Sequence, residues 1–303
     1  MMNNNENVSV LRGRVAIVTG AGGGLGRSHA LMLSRLGARV IVNDMRIEAA
    51  EAVVREIAAG GGDALAAATS VTDETGVGNM VAQAVDAWGQ VDILINNAGI
   101  LRDKSFAKMT TDEFRAVVDV HLMGSVICTK AVWEIMRAQR HGRVVFTTSS
   151  SGLFGNFGQA NYGAAKMALV GLMQTLALEG EKYGIKVNCL APTAATAMTD
   201  GLLTQENLEQ LSPDLVSPGL LALVGDDAPT RAILCAGAGH FARSNVTLTE
   251  GLHVGGGIDA PHRVAANWEA ISDRSHEIVP EYGFTQMERE LASGAGVAKA
   301  VGV

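Results

Sequence analysis

Apolar residues fall in short unbroken runs that alternate with longer segments of helical period. Val15-Ala16-Ile17-Val18 is such a run, ends at Thr19-Gly20 and predicts a buried strand. A helix is predicted over 24–36 and a strand over 39–43. Residues 48–59 read as a helix with Val53, Val54 and Ile57 on one face and Glu51/Arg55 as an i,i+4 pair, stopped by Gly60-Gly61-Gly62. Further strands are predicted at 64–68, 91–95, 143–148 and 185–190, with helices at 75–88, 112–139 and 162–183 between them. This β-α-β-α order gives an α/β fold, a doubly wound parallel sheet with helices on both faces. Between about 199 and 226 the pattern becomes irregular. We expect a substrate loop at about 194–226, over the carboxyl ends of the strands where such sheets bind ligands. The organisation expected is a polar arm at 1–10, a single α/β domain at 11–259, and a polar helical extension at 260–303.

Composition narrows the classes. The chain has 303 residues, 48% of them hydrophobic and 18% charged, which is a foldable balance. Its formal net charge of -7 speaks against a nucleic-acid or anionic-membrane surface. Cys128, Cys189 and Cys235 are odd in number and far apart, which suits a reduced compartment and offers neither a disulfide framework nor a metal site. No apolar run reaches the ~20 residues of a membrane span. The asparagine-rich start lacks the features of a secretory signal, and Val301-Gly302-Val303 is not a peroxisomal tripeptide. The expectation is a cytoplasmic protein whose partner is a small molecule, with no nucleic-acid, membrane or metal partner.

The 36 glycines are the outlier, and several cluster between the first strand and first helix. Gly20, Gly24 and Gly26 satisfy G-x-x-x-G-x-G. A tight turn, a bare backbone and helix N-terminal amides suit a pyrophosphate, as in Rossmann-type folds; the plain alternative is a strand-to-helix turn. Asp44 ends the second strand, where a carboxylate can accept hydrogen bonds from an adenosine ribose and repel a 2′-phosphate. That favours NAD. Arg27 and Arg46 are the competing observation, since either could reach a 2′-phosphate.

Ser149, Tyr162 and Lys166 are the candidate catalytic group. Tyr162 and Lys166 lie one helical turn apart on one face, and Ser149 ends the preceding strand. A phenol near pKa ~10 is a poor base at neutral pH. A nearby ammonium, and the positive ring of an oxidised nicotinamide, would lower that pKa. Tyr162 can then take the proton of an alcohol or return it to an alkoxide, with Ser149 bonding the substrate oxygen. Ser150 and Ser151 are equally plausible neighbours of Ser149, and Tyr-x-x-x-Lys alone can be an ordinary helix surface.

Taken together, Thr19 to Gly26, Asn96-Asn97-Ala98-Gly99, Ser149, Tyr162-Gly-Ala-Ala-Lys166 and Asn188-Cys-Leu-Ala-Pro192 resemble the short-chain dehydrogenase/reductase family in order and spacing across roughly 10–258. The resemblance implies cofactor contacts at Gly20, Gly24, Leu25, Gly26, Asp44, Ser70, Val71, Asn97, Ala98, Gly99, Tyr162, Lys166, Pro192 and Thr196. It implies long helices that pair across two-fold interfaces, hence a homodimer or homotetramer, with Val117, Val118, Leu122, Val126, Ala131, Leu172 and Leu176 as apolar positions that otherwise face the chain's own sheet. His121 stands where the family often carries a catalytic Asn. It can hold the same proton-relay water, titrate itself, or only pack.

A narrower resemblance links 97–106, His121-Leu122, 155–162 and 191–198 to the (R)-3-hydroxyacyl-CoA dehydrogenase region of multifunctional enzyme type 2 and its bacterial stand-alone relatives. It implies an NAD-dependent oxidoreductase that interconverts a secondary alcohol and a ketone, first a (3R)-hydroxyacyl-CoA. Leu153, Phe154, Phe157 and Met198 are the expected apolar wall beside Ser149. Arg102 and Lys104 are candidate CoA anchors, while Asp200, Glu206 and Glu209 weigh against CoA. A hydroxysteroid or terpenoid alcohol is the alternative substrate, and a non-catalytic NAD(H)-binding sensor the alternative of another class.

Overall fold

Eight strands form one sheet in the order β3-β2-β1-β4-β5-β6-β7-β8 in the computed structural model, which describes residues 10–195 and 210–301. The strands are β1 (Val15–Val18), β2 (Arg39–Asp44), β3 (Ala64–Ala68), β4 (Ile93–Asn96), β5 (Gly142–Thr147), β6 (Ile185–Thr193), β7 (Ile233–Gly237) and β8 (His240–Ser244). All pairs from β3 through β7 are parallel. The connecting helices are α1 (Gly24–Arg35), α2 (Ile47–Ala59), α3 (Glu74–Trp88), α4 (Thr111–Val118), α5 (Gly124–Gln139), α6 (Ser150–Phe154), α7 (Ala160–Gly180) and α8 (Gly219–Val224). β7 and β8, which the periodicity does not predict, are joined by Ala238 and Gly239, both at positive φ (49° and 72°), the geometry of a tight hairpin.

Alternation along each strand sends side chains to two cores. Val15 and Ile17 of β1 enter a core shared with α3, α5 and α7, while Ala16 and Val18 enter one shared with α1, α2 and α8. Where both faces are covered the strand is buried at every position, as in β1, β4 and β5, rather than alternating. Local signals set the helix ends. Asp73 caps α3 by accepting from the Thr75 amide, and Gly89 ends it at φ 79°. Thr110 and Glu113 form a reciprocal capping box on α4.

The expected helix at 112–139 has the right extent but not one geometry. A π-helical turn, Asp119–Met123, separates α4 from α5. Thr111–Gln139 is long and apolar enough, by length and composition alone, to cross a membrane, a test that the core helix of a folded domain also passes. Its Val117, Cys128, Val132 and Met136 are buried. Of the apolar positions expected at an interface, Leu122, Ala131, Leu172 and Leu176 pack against the chain's own core. Met123 and Met167 are exposed instead.

The chain divides into two compact units, Met1–Arg243 and Ser244–Val303. The second carries α9 (Ala260–Ala266), α10 (Trp268–Ile271) and α11 (Phe284–Val301) and a bridge between Leu248 and Ile278.

Phe146 of β5 is fully buried, so Phe146→Ala should cost about 3–5 kcal/mol in a urea-unfolding measurement. Burial also holds three histidines neutral: His29 and His121 are pushed down to about 3 and His141 to about 4, from 6.5. As pH falls below 6.5 the unfolded chain takes up these protons first. Stability present above that pH is therefore lost progressively towards pH 3–4. The melting temperature should fall from pH 6.5 to 4, less steeply in His29→Gln.

Candidate active site

The segment between β1 and α1 is stitched to the end of β4. The Asn97 and Ala98 amides donate to Thr19 Oγ1 at 3.0 and 3.1 Å, and Asn97 Nδ2 donates to the Thr19 carbonyl at 2.9 Å. This close approach is why glycine is needed. Gly20 is left-handed (φ 62°), and an added Cβ would lie 2.8 Å from Ala98 Cα; a Cβ on Gly26 would strike the Gly20 carbonyl. Gly23 is exposed with open space beyond it, and α1 has no side-chain cap. The first-turn amides of Gly24, Leu25 and Gly26 thus have neither an intrahelical acceptor nor a cap, at the positive end of the helix dipole. The bare cradle fits a pyrophosphate.

Asp44 ends β2 beside this cradle. Its carboxylate accepts from the Gly22 amide at 3.1 Å and the Arg46 amide at 3.0 Å, and a Cβ on Gly22 would meet Oδ2 at 2.6 Å. Arg27 is engaged by Glu56 of α2. Ser70 bonds Thr72 through their hydroxyls at 2.8 Å, and Val71 packs over Gly124.

Ser149, Tyr162 and Lys166 come together at the carboxyl edge of β5. Ser149 is the extended N-cap of α6 and nearly buried, its Oγ accepting from the Ser151 amide at 3.2 Å. Of the three serines, Ser149 is the one whose hydroxyl acts on the Tyr162 phenol, favouring its ionised form. Lys166 is buried, with Nζ 5.4 Å from the Tyr162 ring centroid and 2.5 Å from the Thr147 carbonyl that it donates to. The electrostatics differ from the expectation. Burial raises the Tyr162 pKa and outweighs the opposing effect of Ser149, and the same burial lowers Lys166 to about 7. The protein groups by themselves do not lower the phenol's pKa.

His121 lies in the π turn and is buried, edge-on to Tyr162 with ring centroids 5.2 Å apart. Nε2 is 2.8 Å from the Ile100 carbonyl and 3.0 Å from the Ile100 amide, so its tautomer decides which one it serves. Nδ1 is buried without a hydrogen-bond partner among the described residues. Gly99 is required here, because a Cβ would run into the imidazole. Burial first, then the Lys166 charge, holds His121 down at about 3, which favours the neutral ring at pH 7.

The expected apolar wall is dispersed. Leu153 packs against the core beneath α6, whereas Phe154 and Phe157 are 71% and 90% exposed. Pro192 is half-buried at the end of β6, paired in register with Ala236. Thr196, Met198, Asp200, Glu206 and Glu209 lie outside the described residues. Lys104 is paired with Glu113 at 2.5 Å, and Arg102 is exposed. Sequence reasoning passed over Asn161, which is fully buried at the start of α7. Its Nδ2 donates to the Arg102 carbonyl and its Oδ1 accepts from the Tyr162 amide at 2.7 Å. It ties the loop after β4 to the helix that carries Tyr162; only its place beside Tyr162 hinted at this.

The profile of the short chain dehydrogenase family matches residues 14–207, which include the glycine loop, Ser149, Tyr162 and Lys166. A Mycobacterium tuberculosis protein named a short-chain type dehydrogenase/reductase is 46% identical over 86% of this chain and 95% of its own length. Full-length peroxisomal multifunctional enzyme type 2 from Drosophila melanogaster superposes with a TM-score of 0.79 and 34% identity, over 95% of this chain and 50% of that one. The chain thus spans half the length of that enzyme. A 7α-hydroxysteroid dehydrogenase complexed with NADH and 7-oxo glycochenodeoxycholic acid superposes at 0.72 with 29% identity, over 78% of this chain and 98% of its own. The chain belongs to the short-chain dehydrogenase/reductase family and is a nicotinamide-dependent oxidoreductase acting on CH–OH groups of small molecules.

Proposed function

We propose that the protein is an NAD-dependent dehydrogenase that interconverts a secondary alcohol and a ketone, with a (3R)-hydroxyacyl-CoA as its first substrate. The observation that carries the chemistry is that Ser149 and Lys166 lie about the Tyr162 side chain at the carboxyl edge of β5. When bound, the nicotinamide supplies or accepts the hydride and, oxidised, adds a positive charge near the phenol. Tyr162 Oη takes the hydroxyl proton in oxidation and returns it in reduction. Ser149 Oγ orients the substrate oxygen. Lys166 donates to the nicotinamide ribose and, when protonated, favours the phenolate. Neutral His121 acts through Nδ1, the buried unpartnered atom, as the holder of a relay water.

NAD is favoured over NADP because the Asp44 carboxylate is fixed by two backbone amides at the edge of the cradle, where a 2′-phosphate would meet its charge. Likeness to multifunctional enzyme type 2 supports the acyl-CoA reading. The fit to a hydroxysteroid dehydrogenase, and the exposed Phe154 and Phe157, favour a hydroxysteroid as the second reading. Exposed Met123 and Met167 on α5's approach and α7 support a homodimer or homotetramer, and a cytoplasmic location completes the proposal.

Assay of the purified protein with NAD and NADP against (3R)-hydroxyacyl-CoA, hydroxysteroid and terpenoid-alcohol series should give NAD-linked turnover of the acyl-CoA set. Activity confined to free alcohols would reject the CoA reading. Tyr162→Phe should lower kcat by about 100-fold or more while NADH still binds, as expected for loss of a general acid–base group. Tight NADH binding by the wild type with no turnover of any substrate would instead support a sensor.

A further inference from the structure

Selection against a 2′-phosphate depends on which cations near the adenosine ribose are free to answer it. Arg27 lies one helical turn after Gly23 on the same face of α1. Long helical side chains lean back over the preceding turn, and beyond Gly23 there is open space. An unrestrained Arg27 would therefore extend over the amide end of the helix, towards the edge held by Asp44. It does not. Its guanidinium forms a two-pronged pair with Glu56 of α2, Nε donating to Oε1 at 2.9 Å and Nη2 to Oε2. Glu56 lies well down α2, away from the Asp44 end, so the pair draws Arg27 from the cradle. Arg46 is not free either. Its amide donates to Asp44 Oδ1 at 3.0 Å, and its Nε lies 3.8 Å from the same oxygen.

We propose that Glu56 is a specificity-determining residue: it holds Arg27 away from the 2′ position of the adenosine ribose and so acts with Asp44 to select NAD over NADP. This rests on the NAD reading of the same cradle. Planar Arg–carboxylate pairs are directional, and a two-pronged one fixes the guanidinium more firmly than a single contact. Both partners are partly exposed, so the restraint is modest and is read most clearly when the larger Asp44 effect is removed. Glu56 touches no cofactor atom; it acts through the position of Arg27.

Isothermal calorimetry of NAD, NADP and adenosine 2′,5′-bisphosphate separates the two claims. The wild type reports the NAD reading directly, because tighter binding of NADP than of NAD would reject it. Glu56→Gln, Asp44→Ser, their double variant and that double variant with Arg27→Ala report the role of Glu56. The double variant should bind NADP and the bisphosphate about threefold or more tighter than the two single effects multiplied together, the non-additivity of groups that share a partner. Adding Arg27→Ala should remove that excess while NAD affinity changes little. Simple multiplication of the single effects, or an excess that survives Arg27→Ala, would overturn the proposal. Neither result depends on turnover.

Discussion

The seam between β1 and β4 is the constraint from which the site hangs. The sheet order reverses there: β1 is followed by crossovers towards β2 and β3, β4 by crossovers towards β5, β6 and β7. Diverging crossovers leave a crevice at the carboxyl ends of the two strands. Buried Thr19 closes the bottom of that crevice. Its amide donates to the Ile95 carbonyl at 3.0 Å, and its hydroxyl accepts from the two amides that follow β4. Once the strands are drawn this close, Gly20 and Gly26 have no room for a side chain. The bare amide end of α1 follows from that packing. The cradle is thus a by-product of strand pairing as much as a loop made for phosphate.

The reacting edge is governed by a competition between burial and charge. Partial burial raises the Tyr162 phenol's pKa, and full burial lowers the Lys166 ammonium's to about 7. Each group is held close to its uncharged form. Under the proposed function, a positive charge brought by the bound cofactor would favour the phenolate. His121 is kept neutral by the same burial, and its ring and Gly99 fill space that no larger side chain at 99 would leave.

Much of this was legible in the residues. Strands buried on both faces read as apolar runs, and the spacing of Tyr162 and Lys166 fixed their common face. Asp44 could be placed because a carboxylate at the end of β2 has one obvious neighbour, the glycine loop. The π turn was not legible, since one extra residue in the hydrogen-bond ladder leaves the apolar period of 112–139 almost unchanged. β7 and β8 were missed because Ile233 to Gly237 is a short run and the hairpin places Ala238, not only glycine, at positive φ. The Arg27–Glu56 pair joins two helices across 29 residues of sequence, so no local pattern announces it. The sequence placed Phe154 and Phe157 near Ser149 but could not show their exposure, which accompanies the positive φ of Gly155 and Gly158 in that stretch.

A crystal structure of the NAD complex tests the central claim most directly. The account predicts the adenosine ribose hydroxyls within hydrogen-bond distance of the Asp44 carboxylate, the pyrophosphate on the amides of Gly24 to Gly26, and the nicotinamide facing Tyr162. A dinucleotide whose ribose turns away from Asp44, or whose nicotinamide lies apart from Tyr162 and Ser149, would contradict it.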